Sequence, residues 1–191
     1  MSEYKIGEII QFGGYDWRVL DVQDGKALIL SDKVIEESSY NNKYEKITWE
    51  ACDLRRYLNG NFYAGFGVEE RARIIETRLE NKSNPWHGTY SGKDTACNIF
   101  LLSLEEVARY LGDTEKLKGK NPNNEYWVDD PYNAARTAQN VTGNNSSWWL
   151  RSSGVSNTHA AFVNDKGNIL VGGKNVIDND CGVRPALWLK I

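Results

Sequence analysis

Cysteine, histidine and methionine are scarce in this 191-residue chain, with three, two and one copies respectively. Cys52, Cys97 and Cys181 are odd in number, widely spaced and free of any C-x-x-C pattern. Neither a disulfide framework nor a thiolate zinc site is therefore expected. His87 and His159 have no partner at metal-ligand spacing, and no nucleophile elbow occurs, so hydrolase chemistry lacks its usual residues. An excess of one charge is also missing: 23 basic and 26 acidic residues give a net charge of −3, mixed along the chain. That balance argues against a nucleic-acid partner and against a polybasic membrane patch. No apolar run approaches the roughly 20 residues of a membrane span, so membrane insertion is not expected. The start, MSEYKIGEII, lacks a charged-then-apolar leader, which points to a soluble protein made in the cytoplasm. A final location on a cell surface or phage particle stays open. With no repeat and no low-complexity linker, residues 1–191 read as a single domain.

Aromatics, by contrast, are plentiful, with seven Trp and ten Tyr. They suit a β-rich core, and any exposed ones suit a binding surface. Strands are expected at 8–12, 17–22 and 26–30. Gly13-Gly14 and Asp24-Gly25 supply the turns, the latter pair because both turn positions need positive φ. A helix of about ten residues is expected from a Thr48 cap, with Ala51, Leu54 and Leu58 on one face and Asn59-Gly60 at its end. A shorter helix is expected over 68–75. Ser103 with Glu106 forms a capping box ahead of the stripe Leu104, Val107, Ala108 and Leu111, closed by Gly112. Asp130-Pro131 opens a short helix through Ala138. Residues 81–96 and 113–125 are long polar loops, hence functional or mobile.

The last 44 residues are β again. Strands are expected at 148–151, 160–163 and 168–171, the last two closing a hairpin around Asp165-Lys-Gly167. A short strand follows at 176–177. A final one spans 183–189, where Pro185 suggests an edge or bulged position. Strands, then helices and long loops over 48–140, then strands read as an α+β fold with mostly antiparallel sheet.

The segments 148–153 (WWLRSS), 160–173 (AAFVNDKGNILVGG) and 182–191 (GVRPALWLKI) resemble a bacterial domain family of unknown function, common in gut-associated bacteria. Residues 6–31, 48–59 and 99–112 agree with it, so the resemblance covers nearly the whole chain. It implies a C-type lectin-like fold with two main flanking helices. Variable proteins of diversity-generating retroelements end in a similar W-x-x-R-S to G-x-R-P pattern, and formylglycine-generating enzymes close on a similar G-[FV]-R. A shared fold carries no activity by itself. The oxidase reading needs paired copper-binding cysteines near the C-terminus, where only Cys181 stands, so no enzymatic role is expected.

Rigid ends around a polar, Gly- and Asn-rich stretch have the layout of a recognition surface. The expected function is non-enzymatic recognition of a protein or glycan through Ser153, Val155, Asn157, His159, Asn164, Asn168, Asn175, Asp178 and Asn179, with a retroelement variable protein as its narrower form. The alternatives are a formylglycine-type fold member with lost or altered chemistry, and a structural or accessory module of a phage or surface protein. Asparagine is equally a turn former, so these residues also fit a purely structural reading. No cofactor is expected. Asp178-Asn179-Asp180 and Asn164-Asp165 offer oxygen ligands, but the Glu-Pro-Asn or Gln-Pro-Asp tripeptide of calcium-dependent lectins is absent. Gly172-Gly173-Lys174 lacks the setting of a phosphate loop. Arg151 and Arg184 sit among apolar strand residues and are expected to anchor the frame. Trp17, Trp148, Trp149 and Trp188 are expected in the core, whereas Trp86, Tyr126 and Trp127 fall in loops.

Overall fold

Three strands open the chain: β1 (Ile9–Phe12), β2 (Tyr15–Gln23) and β3 (Lys26–Ser31). A computed structural model describes residues 4–119 and 126–191. Asp24 and Gly25 take φ of 49° and 74°, the left-handed pair that a tight hairpin requires. β2 pairs β1 and β3 in register, apart from a bulge between Val19 and Asp21. A two-residue strand, β4 (Glu36–Glu37), follows.

The middle is less helical than 48–140 promises. Thr48 does not cap a helix: its carbonyl accepts Ala51 N and Cys52 N at 3.1 Å each, which makes a turn. Helix α1 (Asp53–Tyr57) begins one turn later at Cys52, whose Sγ accepts Arg55 N at 3.4 Å. Asn59-Gly60 does not end it either. The chain widens into one π-helical turn, Leu58–Phe62. There Asn59 Oδ1 accepts Asn98 N (2.8 Å) and Ile99 N (3.2 Å), while Nδ2 donates to Ile99 O at 2.8 Å. These bonds anchor the π-helical turn to the backbone of residues 98–99. Helix α2 (Val68–Arg73) stops two residues short of the expected end, because Ile74–Ile75 extends as β5. β6 (Thr77–Leu79) and β7 (Thr95–Cys97) form a ribbon closing the 80–94 loop.

Helix α3 (Leu104–Leu111) is as read. Ser103 Oγ accepts Glu106 N at 3.1 Å, Glu106 Oε2 accepts Ser103 N at 2.8 Å, and the expected stripe is buried. The 113–125 loop contains a 3-10 turn, Thr114–Leu117; residues 120–125 lie outside the described ones. After β8 (Trp127–Val128), Asp130 starts a turn, its Oδ1 accepting Tyr132 N at 2.9 Å. Helix α4 (Asn133–Arg136) is then a single turn, shorter at both ends than expected, because Ala138–Gln139 extends as β9 against β10 (Asn145–Ser146).

β11 (Trp148–Ser153), β12 (His159–Val163), β13 (Ile169–Asn175), β14 (Gly182–Val183) and β15 (Ala186–Lys190) complete the chain. Val176-Ile177 is a turn, not a strand. Val176 is wholly buried, and its N–H donates to Thr158 O at 3.0 Å.

Among the described residues the order in one sheet is β1-β2-β3-β15-β5, and in the other β4-β14-β11-β12-β13-β8. All pairings are antiparallel except β11 with β14. The fold is thus mixed α+β, mostly antiparallel, with few helices. The expected last strand is broken at Arg184-Pro185, where the chain passes from the second sheet to the first. β15 is not an edge strand, since β3 and β5 flank it. Pro185 lacks an N–H for a ladder, yet its carbonyl accepts Ser31 N at 2.9 Å. Trp17, Trp49, Trp148 and Trp149 are wholly buried in one core, with Trp188 8% exposed. Trp86 joins them through Nε1 donating to Leu117 O at 3.1 Å.

Candidate functional site

The segment that follows β11 is held by a second loop, residues 84–91, which the sequence gives no sign of bringing there. Asn84, 2% exposed, donates from Nδ2 to Ser153 O (2.8 Å) and Val171 O (2.9 Å). Its Oδ1 accepts Trp86 N and His87 N at 3.0 and 3.1 Å. One amide side chain therefore ties the loop to β11 and β13 while satisfying its own turn. Thr89 Oγ1 donates to Val155 O at 3.1 Å, and Asn157 Nδ2 to Tyr90 O at 2.6 Å and Ser153 Oγ at 3.1 Å. Val155 N donates to Gly172 O and Gly154 N to His159 O, both at 2.7 Å.

This bonding fixes the backbone and leaves apolar side chains outside. Tyr90 is 56% exposed and Val155 44%. Tyr126 O accepts Gly172 N at 3.1 Å, and Tyr126 is also exposed. The missing side chain at Gly172 admits this approach: a Cβ there would lie 3.1 Å from Tyr126 Cδ1 and 3.8 Å from His87 Nε2. His159 stands half-buried beside them, its Nδ1 within 3.0 Å of Ser156 Oγ and 3.1 Å of Thr158 Oγ1.

The nine residues read from the sequence do not form one patch. Val155, Asn157, His159, Asn175, Asp178 and Asn179 gather at the end of the β12–β13 hairpin where His159 pairs with Asn175. Ser153 is at that end but buried, a bracket for Tyr90 and Asn157 and not a contact surface. Asn164 and Asn168 form the turn at the other end, four residues away along β12, or roughly 13 Å at strand rise. There Asn164 Oδ1 accepts Lys166 N and Asn168 N, and Asn168 Oδ1 accepts Asn133 Nδ2 at 2.7 Å.

The acidic run already has a cation. Lys174 Nζ lies 2.5 Å from Asp180 Oδ1 and 3.8 Å from Asp178 Oδ2, so the Asp178 and Asp180 oxygens offered for calcium face an ammonium. Its hydrogen bond holds the Asp180 carboxyl below the usual range. No group of three or more His, Cys, Asp and Glu side chains among the described residues forms a metal cluster. All three cysteines are free and buried. Burial pushes the Cys181 thiol well up, against the opposing charge of Lys174, which disfavours the thiolate that nucleophilic or copper chemistry needs. Among the described residues no helix is long and apolar enough to cross a membrane.

The contributions the sequence did not reveal are those of Asn84, Thr89 and Tyr90. Asn84-Pro85-Trp86-His87 could be read as a loop, but not as a loop docked 69 residues further along the chain. No curated protein and no solved structure matches the chain significantly. Residues 24–191 match the family model described as Domain of unknown function (DUF6273), and the chain belongs to that family.

Proposed function

We propose that this domain is a non-enzymatic recognition module of C-type lectin-like architecture that binds a protein or glycan. Its binding face is the loop end around Tyr90, Val155, Asn157, His159 and Asn175. One observation carries the reading: Tyr90 and Val155 project outward from backbone whose polar groups are bonded into the frame. A tyrosine held in this way offers a large amphipathic contact at little entropic cost, and neighbouring Asn, Ser and Thr supply adaptable hydrogen bonds. The lectin-like architecture is supported by the first three strands sharing a sheet with the last, and by the 80–94 loop docking on β11 and β13 of the second sheet. The buried thiols weigh against an enzyme of the formylglycine-generating kind.

The variable protein of a diversity-generating retroelement is the narrower form of the same reading. It calls for variation at Val155, Ile177 and Asn179, which are exposed, and constancy at Ser153, Asn164 and Asn168, which hold the frame. Related copies that vary equally at both sets contradict it.

The test is a glycan array probed with the purified chain, with and without calcium, beside Tyr90→Ala and Val155→Asp. Hits that vanish in both variants while their melting temperatures hold support the face. A blank array removes the glycan arm and moves the test to proteins encoded by neighbouring genes. Binding undiminished in both variants refutes the site.

A further inference from the structure

Three arginines are buried among the described residues, and two of them have a carboxylate. Arg136 meets Asp130 at 2.7 Å, and Arg151 meets Glu106 through both terminal nitrogens. Arg184, 2% exposed, has carbonyls only: Nε donates to Ser31 O at 2.8 Å and Nη2 to Asp32 O at 3.3 Å. Its Nη1 is buried with no acceptor. The face of Trp148, 4.9 Å from the guanidinium carbon, eases the charge but supplies no oxygen. Asp32 Oδ1 is occupied by Arg18 Nη2 at 2.8 Å. A buried guanidinium with an unmade hydrogen bond is costly, so its environment is incomplete.

Arg184 also lines a cavity of about 520 Å³ between the first hairpin and the α4–β9 segment. Arg18 and Lys33 bring two further cations to the wall, against Asp32 as the one carboxylate among the described lining residues. Leu20 and Ala135 give it an apolar side, and Thr137 and Gln139 add hydrogen-bonding groups. On a chain of net charge −3, a cavity with three cations to one anion is selective for negative charge. The volume suits a small molecule, and a guanidinium prefers the planar oxygens of carboxylate or phosphate.

We propose that this cavity binds a small organic anion, with its carboxylate or phosphate oxygens on Arg184. Arg18 and Lys33 stand at the solvent side, and the carbon portion packs toward Leu20 and Ala135. The site shares no residue with the loop face around Tyr90 and Val155, so each proposal can fail without the other.

The experiment follows the melting temperature of the full chain as inorganic phosphate or benzoate is added, with sodium chloride holding ionic strength constant. Saturable stabilisation of about 5 °C or more at a hundredfold excess over Kd is expected for at least one probe. Response to phosphate alone or to benzoate alone identifies which oxyanion the site takes. Two variants keep the test clear of misfolding: Lys33→Glu reverses an exposed charge, and Ala135→Trp fills the cavity from an exposed helix position. Both should melt near the parent temperature without anion and lose the saturable response. No response beyond sodium chloride, or an undiminished response in both variants, overturns the proposal.

Discussion

Glu106 caps helix α3 and at the same time grips Arg151 of β11. Its Oε2 accepts the Ser103 N–H at 2.8 Å, and its Oε1 takes Arg151 Nη2 at 3.0 Å. One carboxylate thus couples a local helix signal to a contact 45 residues away, and Arg151 extends the link to Asn81 Oδ1 at 3.1 Å and Leu101 O at 2.9 Å. Arg151→Ala leaves a partly buried carboxylate and several acceptors unpaired, and is expected to cost about 3–5 kcal/mol of stability. Glu106→Ala should cost a comparable amount, because it strands a guanidinium only 3% exposed and removes the acceptor of the Ser103 N–H. A double-mutant cycle in urea should give a coupling of at least about 1 kcal/mol. Additive losses would mean the pair is incidental.

Arg184 makes the opposite forecast about charge. Burial, and secondarily the charge of Arg18, lowers its pKa to about 10, with Asp32 opposing. Arg184→Ala removes the Ser31 and Asp32 bonds and opens a hole beside Trp148, so it should lower the melting temperature sharply. Arg184→Met keeps most of the volume and removes a poorly compensated charge, and should be markedly milder. Arg151→Met lacks that relief, because it orphans Glu106. Equal losses for Arg184→Met and Arg151→Met would refute the distinction.

The thiols give a pH dependence with a definite sign. Burial raises the Cys52 thiol from the ordinary 9 to about 12, despite the Arg55 N–H on its sulfur, and raises Cys181 further. Both groups hold their protons more tightly folded than unfolded. Their contribution to stability is therefore complete below pH 9 and is lost as pH rises toward and through 12. Tyr40, also pushed up by burial, acts in the same direction. The melting temperature should fall above pH 9, and less steeply in Cys52→Ala/Cys181→Ala. Native protein at pH 8 should resist a thiol-specific disulfide reagent, and prompt labelling of either thiol would contradict the burial argument.

Where the folding code is local, the sequence was readable. Ser103 and Glu106 lie three residues apart with an apolar stripe behind them, and α3 falls where they place it. Asp24-Gly25 and Gly167 similarly mark two hairpins. Where the code is tertiary, reading failed. Asn59 continues into a π-helical turn because it bonds the backbone 39 and 40 residues later. Val176 is apolar and buried yet turns, because Thr158 O claims its N–H. The proposed face follows the same division. The exposed Val155, Ile177 and Asn179 sit in a segment whose composition announces loops. The arm of that face at residues 84–91 is delivered by Asn84, whose role depends on strands 69 and 87 residues away.

Two glycines separate backbone conformation from close packing. Gly25 has φ +74° with nothing within 4 Å of where an added methyl group would sit, so Gly25→Ala meets only the left-handed penalty, about 1–2 kcal/mol. Gly167 has φ +84°, and a Cβ there would fall 2.0 Å from Asn133 O. That carbonyl belongs to α4, whose Arg136 Nε donates to Gly167 O at 2.7 Å and whose buried ion pair with Asp130 anchors the turn. Gly167→Ala must therefore push the hairpin off α4 and strain a buried arginine, adding about 1–3 kcal/mol of overpacking to the backbone term. Urea denaturation of the two variants should separate them by that margin. Losses of the same size would mean the turn at 164–168 does not bear on α4, and that Asn164 and Asn168 are freer than their hydrogen bonds indicate.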